Sequence, residues 1–410
     1  MDKTELLKFR EAVEKERDRI LSFWLDNTID EENGGFVGEM TNELKAIEKA
    51  PKGLILNTRI LWTYSLAYRR LFRSEYLKMI NRAYDYLMEY FFDREYGGMY
   101  WMLDYQGNPL DSKKQIYGQA FAIYALSEFY QATGEEKALK TAVDIFRLIE
   151  KYSYDQQNRG YLEACNQDWS LKEDMRLSTR DMNEKKSMNT HLHILEAYTN
   201  LYRIWNNDEL ERKLKELIEV TIEHIIDNDS FHFILFFDEY WNPKSELISY
   251  GHDIEGSWLL YEAAELLGDQ ELLERVKDIS IRMAEAVYNE GLAEDGSIYY
   301  EREGERLDTA RHWWPQAENL VGFVNAYQLT GEDKYMVAAM AGWQYIERYF
   351  IDREYGEWFA VLNENGEPYP DKSKVESWKS PYHNGRACFE LVSRLEEILK
   401  GEGLHGTQQR

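Results

Sequence analysis

The sequence predicts an all-α chain closed into an (α/α)6 barrel of six helix-hairpin repeats. Three observations predict it. A glycine turn recurs along nearly the whole chain, apolar residues fall at helical spacing on both sides of that turn, and helix breakers are scarce, with 7 prolines clustered in turns.

The turn is clearest in two copies. Asp93-Arg-Glu-Tyr-Gly97, running on through Gly107 to Pro109, matches Asp352-Arg-Glu-Tyr-Gly356, running on through Gly366 to Pro368, in register throughout. Shorter copies lie at Asn33–Phe36, Asn158–Tyr161 and Asp295–Tyr299, each an acidic or amide residue, a glycine and then aromatic or β-branched residues. Gly35, Gly98, Gly160, Gly296 and Gly356 then mark steps of roughly 60 to 65 residues with one double step, whose midpoint falls at the Asp227–Phe231 turn. Six units follow.

Each unit reads as two helices joined by a short turn. Ile116 to Tyr130 is apolar at helical spacing and ends before Thr133-Gly134-Glu135, and Lys137 to Tyr152 supplies the second helix. The pair recurs as Glu318 to Leu329, Thr330-Gly331-Glu332 and Tyr335 to Tyr349. An open solenoid is the competing arrangement for helical repeats. Six pairs favour a closed ring, with inner helices lining a funnel and outer helices packed around them. No Pro-, Gly- or Ser-rich linker interrupts the pattern, so residues 1–410 are expected to form a single domain.

Composition narrows the ligand. A net charge of −26 is inconsistent with electrostatic binding to nucleic acid or anionic membranes, which needs clustered Lys and Arg. An aromatic content of 14%, with 12 Trp and 30 Tyr, exceeds what the apolar stripes use and points to a lined cavity for a neutral ligand. Cys165 and Cys388 have no zinc-like spacing and read as buried thiols. The N-terminus enters a charged amphipathic helix rather than the apolar core of a signal peptide, and no apolar run reaches the ~18 residues of a membrane span. A cytoplasmic protein is expected, a monomer or weak homo-oligomer.

The chemistry concentrates in four histidine segments rich in aromatic and amide residues: Asn189–His193, Gly251–Trp258, Arg311–Glu318 and Ser380–Arg386. Imidazole shuttles protons near neutral pH, and Trp and Tyr stack on sugar rings, so proton chemistry on a carbohydrate is the first reading. A single histidine beside apolar residues is ordinarily a packed one; four such segments are harder to set aside. Helical spacing orients them. Asn189 with His193 and Trp314 with Glu318 are i,i+4, while His252, Glu255 and Trp258 form i,i+3 steps, as do His383 and Arg386. His191 falls on another face from His193, and its helical surroundings argue against a metal-binding His-x-His strand. Glu255 is placed to orient His252. Arg59, in an apolar helix start, needs a partner or a ligand, such as a substrate oxyanion.

Asn57-Thr-Arg59, Asn189-Thr-His-Leu-His193, Gly251-His-Asp-Ile-Glu255, His312-Trp-Trp-Pro-Gln-Ala-Glu318 and Ser380-Pro-Tyr-His383-Asn-Gly-Arg386 together resemble the cellobiose 2-epimerases, within the N-acylglucosamine 2-epimerase superfamily. The resemblance spans almost the full chain. It implies an (α/α)6 barrel that epimerises C2 of the reducing-end sugar of β-1,4-linked disaccharides without cofactor or metal. It further implies His252 and His383 as the acid/base pair, His193 as a third catalytic-site histidine and Glu255 as their support. Arg59, Tyr117, Asp181, Asn189, Trp258, Trp314, Glu318 and Trp378 match substrate-contacting positions. His312 is left as a structural neighbour of Trp314. The alternatives are an aldose–ketose isomerase, an N-acylglucosamine or mannose 2-epimerase and, more remotely, an inverting glycosidase acting through paired carboxylates or a non-catalytic sugar-binding protein.

Overall fold

Inner and outer helices are told apart by how many of their faces are apolar. In the computed structural model, which describes residues 2–401, the helices are α1 (Lys3–Asn27), α2 (Leu54–Leu71), α3 (Ser74–Tyr86), α4 (Ile116–Thr133), α5 (Glu136–Tyr152) and α6 (Met188–Tyr202), then α7 (Asp208–Val220), α8 (Tyr250–Leu267), α9 (Gln270–Ala286), α10 (Trp313–Thr330), α11 (Asp333–Tyr345) and α12 (Tyr382–Lys400). Helix α4 is buried at every position from Ile116 to Phe129, whereas α5 buries only the stripe from Ala138 through Thr141, Ala142, Val143, Ile145 and Phe146 to Ile149. A helix apolar all round must be enclosed, and one with a single apolar stripe covers it.

The even-numbered helices form the inner ring. Each touches the next, from α2 through α4, α6, α8 and α10 to α12, and α12 returns to α2. That last contact closes the barrel and removes the open solenoid. Helices α3, α5, α7, α9 and α11 pack outside the inner helices that precede them, and α1 packs outside α12. The sixth unit is therefore assembled from the two ends of the chain. Its junction is polar as well as packed: the indole N–H of Trp24 donates to Glu357 at 2.8 Å, and that of Trp358 donates to Glu16 at 2.9 Å.

The two ends of the barrel are built differently. At one end the inner helices α4, α8 and α10 stop at Gly134, Gly268 and Gly331, each left-handed as the helix C-cap requires. At the other, the outer helices run into the glycine turns. Four of them, α3, α7, α9 and α11, first widen into a single π turn, so the helix expected to run from Tyr335 to Tyr349 is α11 followed by the π turn Ile346–Phe350. The turns themselves are closed by one antiparallel bridge per unit, at Ile29–Phe36, Phe92–Met99, Tyr154–Tyr161, Ile226–Phe233, Leu292–Ile298 and Ile351–Trp358. The unit inferred only from the double step thus has the same turn as the rest.

The fourth residue of four inner helices reaches out to hold these bridges. Gln119 both accepts from and donates to the Met99 backbone, and Gln316 does the same at Ile298. Asp253 accepts from the Phe233 N–H at 2.7 Å, and His191 Nε2 accepts from the Tyr161 N–H at 2.9 Å. His191 is a structural cap. The aspartate that opens the turn is paired with a buried lysine in four units, Lys52–Asp30, Lys114–Asp93, Lys186–Asp155 and Lys374–Asp352. No helix among the described residues is long and apolar enough to cross a membrane.

Candidate active site

Two rings of side chains project into the funnel from the starts of the inner helices. The second residues of α4, α6, α10 and α12 are Tyr117, Asn189, Trp314 and His383; the sixth residues of α2, α6, α8 and α10 are Arg59, His193, Glu255 and Glu318. These positions are i,i+4 on one helix face, so a single stripe repeated around the ring builds the site. All of them except Glu318 line a cavity of about 700 Å3, whose wall also includes His252. The loops add Asp181 and Trp378. Trp258 and Glu318 sit behind that wall, at 2% and 0% exposure, and bond to one another through the indole N–H at 3.1 Å.

Each of the three histidines is held through Nδ1. His383 Nδ1 lies 2.7 Å from Glu318 Oε1, His193 Nδ1 lies 2.9 Å from Glu196 Oε2, and His252 Nδ1 lies 2.7 Å from the Ser249 hydroxyl. An imidazole donating from Nδ1 to a carboxylate keeps its lone pair on Nε2, the tautomer the pairing assigns to His383 and His193. None of the three rings has a protein partner on Nε2 among the described residues. Glu255 does not orient His252: its Oε1 accepts from Arg386 Nη2 at 2.6 Å and lies 3.8 Å from His383 Nδ1. The i,i+3 spacing put His252 and Glu255 on one side of α8, but the guanidinium supplied by α12 takes the carboxylate.

Arg386 is the residue that the sequence reading quoted within a motif and did not assign. It is fully enclosed, donating Nη2 to both Glu255 and Glu318 at 2.6 and 2.7 Å and Nη1 to Glu196, where the Tyr382 hydroxyl also binds. One guanidinium therefore joins the carboxylates behind His193 and His383. Glu196 was missed too, although it stands i,i+3 from His193, the spacing that singled out Glu255.

Burial in this cluster sets the charges. It pushes His252 down to about 3, with the His193 ring adding to the shift, and it holds His383 well below the usual histidine value, helped by the Arg59 and Arg386 charges. Burial and the neighbouring Glu318 raise Glu255 to about 7, and burial raises Glu318. Glu196 stays below the ordinary carboxylate value because Arg386 and His193 outweigh its burial. Burial thus favours the neutral form of both imidazoles. Glu255, Glu318 and His383 bring ligand atoms within 4.8 Å of one another, but a cation there would have to displace the Arg386 guanidinium that already bridges the two carboxylates.

Around the bases the wall is aromatic. Trp314 packs 4.6 Å from the His252 ring and 5.6 Å from that of His383, centroid to centroid, and Trp378 lies 6.0 Å from Trp101. Arg59 donates to the Tyr117 hydroxyl at 2.9 Å and to the Trp378 carbonyl at 3.1 Å, while its buried Nε has no partner. Asp181 is half-exposed on a loop at the mouth, where its carboxylate accepts from the Ser178 N–H at 2.7 Å. His312 also reaches the cavity, stacked on Tyr300 at 3.7 Å, and is more than a neighbour of Trp314.

Residues 34–387 match the family model described as N-acylglucosamine 2-epimerase. The chain is 48% identical to a cellobiose 2-epimerase of Bacteroides fragilis, covering 95% of this chain and 99% of that one, and 41% identical to one of Dictyoglomus turgidum, covering 94% and 98%. It superposes on the solved structure of a cellobiose 2-epimerase from Bacillus thermoamylovorans with a TM-score of 0.91 at 39% identity, covering 94% of this chain and 99% of that one. With the family model matched across the inner ring and relatives this similar over their full lengths, the chain belongs to the N-acylglucosamine 2-epimerase family.

Proposed function

We propose that this protein is a cellobiose 2-epimerase, interconverting glucose and mannose at the reducing end of β-1,4-linked disaccharides, so that cellobiose gives glucosylmannose and lactose gives epilactose. The observation that carries the reading is the pair of imidazoles, His252 and His383, both packed against Trp314 in one cavity and each anchored through Nδ1. The similarity to cellobiose 2-epimerases over nearly the full chain supports the same substrate class.

Inverting C2 of an aldose requires an open chain, removal of the proton alpha to the aldehyde and return of a proton to the other face of a planar enediolate. One of His252 and His383 accepts the C2 proton on Nε2. After rotation about C2–C3 the other ring, having taken up a proton from solvent on Nε2, donates it to the opposite face, and the ring that accepted the C2 proton returns one to solvent. Glu318 gives His383 an anionic partner for its imidazolium state, whereas Ser249 gives His252 a neutral one. Arg59 stabilises the developing oxyanion, an electrostatic contribution that often exceeds proton transfer itself. His193 contributes a third ring nitrogen to the same wall, and Trp314 and Trp378 stack on the sugars. No step calls for a cofactor or a metal.

Replacing His252 or His383 with Ala is expected to abolish epimerisation of cellobiose while leaving the fold intact, measured by NMR of the products and by circular dichroism. Substantial turnover in either variant contradicts the assignment of the base pair.

A further inference from the structure

Glu163 stands at a place in the repeat where a carboxylate is not needed. In four units the first N–H of an inner helix donates to a backbone carbonyl just past the turn that follows its outer helix: Leu54 to Trp101, Ile116 to Glu163, Met188 to Leu235 and Trp313 to Ala360. The residue supplying that carbonyl is apolar or aromatic in three of the four. Only the second is ionisable, buried at 5% exposure, with no cation paired to it among the described residues. A buried carboxylate without a cation is costly unless its oxygens are fully used.

Both oxygens are used, and by one helix. Oε1 accepts from the Ser187 N–H at 2.7 Å and Oε2 from the Thr190 hydroxyl at 2.6 Å. Ser187 is the N-cap of α6, where a negative group is favoured by the helix dipole. The Glu163 backbone reaches the neighbouring helix: its carbonyl accepts from the Ile116 N–H at 2.9 Å and from the Gln115 side-chain amide at 3.2 Å. Glu163 therefore ties the start of α4, which carries Tyr117, to the start of α6, which carries Asn189. All three line the cavity, and Asn189 presents a buried Oδ1 with no protein donor. Burial raises the Glu163 carboxyl to about 7 against the pull of the Thr190 and Ser187 hydrogen bonds.

We propose that Glu163 is a positioning residue for substrate binding, fixing Asn189 and Tyr117 relative to each other so that the amide oxygen of Asn189 meets a sugar hydroxyl. It touches no reacting atom. The proposal rests on the epimerase reading for its substrate and predicts a defect in binding rather than in proton transfer.

The test compares the parent enzyme with Glu163→Leu, the residue the repeat uses at Leu235, Glu163→Gln, which can accept from Ser187 and donate to a rotated Thr190 hydroxyl, and Thr190→Val. KM and kcat for cellobiose, calorimetric Kd for cellobiose and melting temperature are measured on each. The expected result is a rise of about tenfold in KM and Kd for Glu163→Leu with kcat within about twofold, a smaller rise for Thr190→Val, and parent-like values for Glu163→Gln. A lowered melting temperature with KM and Kd unchanged overturns the proposal, as does an equal loss in Glu163→Gln. If Glu163→Leu does not fold, an unchanged KM and Kd in Thr190→Val overturns it. A parent that binds cellobiose without turning it over overturns the epimerase reading while the Kd series still decides the role of Glu163, and a parent that does neither overturns both.

Discussion

Glu318 shows most plainly how single residues divide the work. Its Oε1 receives His383 and Arg386 and its Oε2 receives Trp258, so it touches no cavity space yet fixes one of the two bases. Glu318→Gln keeps the shape and removes the charge that supports the His383 imidazolium. A fall of about 10²-fold in kcat, with KM changed by less than about threefold, is the expected outcome in steady-state kinetics on cellobiose. Arg386 belongs to the same cluster from the opposite charge: Arg386→Met leaves Glu196, Glu255 and Glu318 together without their shared cation. Loss of about 3 to 5 kcal/mol of stability is predicted for removing one partner of so enclosed a set, read from denaturant unfolding. At this scale the sequence exposed the histidines, because proton-transfer residues embedded in aromatic segments stand out. It did not expose their partners. Ser249 precedes His252 by three residues and Glu196 follows His193 by three, but neither residue type is unusual on a helix, and the link from Glu255 to Arg386 crosses from α8 to α12.

At the scale of the element, the repeat explains which histidine is catalytic and which is not. His191 occupies the position where α4 and α10 use Gln119 and Gln316 to hold the turn, and helical spacing alone turned it away from His193. Burial drives the His191 ring down to about 3, and Lys186 adds to the shift against the bond to the Ser187 carbonyl. The ring is therefore neutral in the folded chain, while the exposed ring of the unfolded chain takes a proton near 6.5. Unfolded molecules bind more protons between those values, so stability contributed by the neutral ring is present above 6.5 and is lost as pH falls toward 3. His191→Gln is expected to fold, to keep its epimerase activity and to lose less melting temperature between pH 7.5 and pH 5 than the parent. Scanning calorimetry at the two pH values checks this, and an unchanged slope contradicts it. The ends of α4 and α10 were legible to within a turn, since Thr-Gly-Glu marks them, but α10 starts at Trp313, five residues before the expected Glu318. The π turns were not, because widening the last turn of α3, α7, α9 and α11 depends on packing rather than on a local residue signal.

For the whole molecule, ring closure is the property on which the site depends. Arg59 comes from α2 and His383 from α12, and these helices meet only because the first and last parts of the chain make one unit. Helix α1 seals it from outside, with Trp24 fully buried and bonded to Glu357, which also accepts from Lys379 at 2.6 Å and from Asn384 at 2.7 Å. Trp24→Ala is predicted to cost about 3 to 5 kcal/mol, seen as a lower denaturant midpoint, and to reduce activity through the displaced start of α12. The closed sixfold ring was legible from the spacing of the glycine turns, but the pairing of α1 with α12 was not, because residues at opposite ends of a sequence carry no periodic relation. The central claim is that this ring brings two bases to opposite faces of C2. Incubating the protein with cellobiose in D2O and following the products by NMR tests it most directly. The account predicts glucosylmannose carrying deuterium at C2 of the reducing-end mannose; a ketose as the principal product, or release of free glucose, would contradict it.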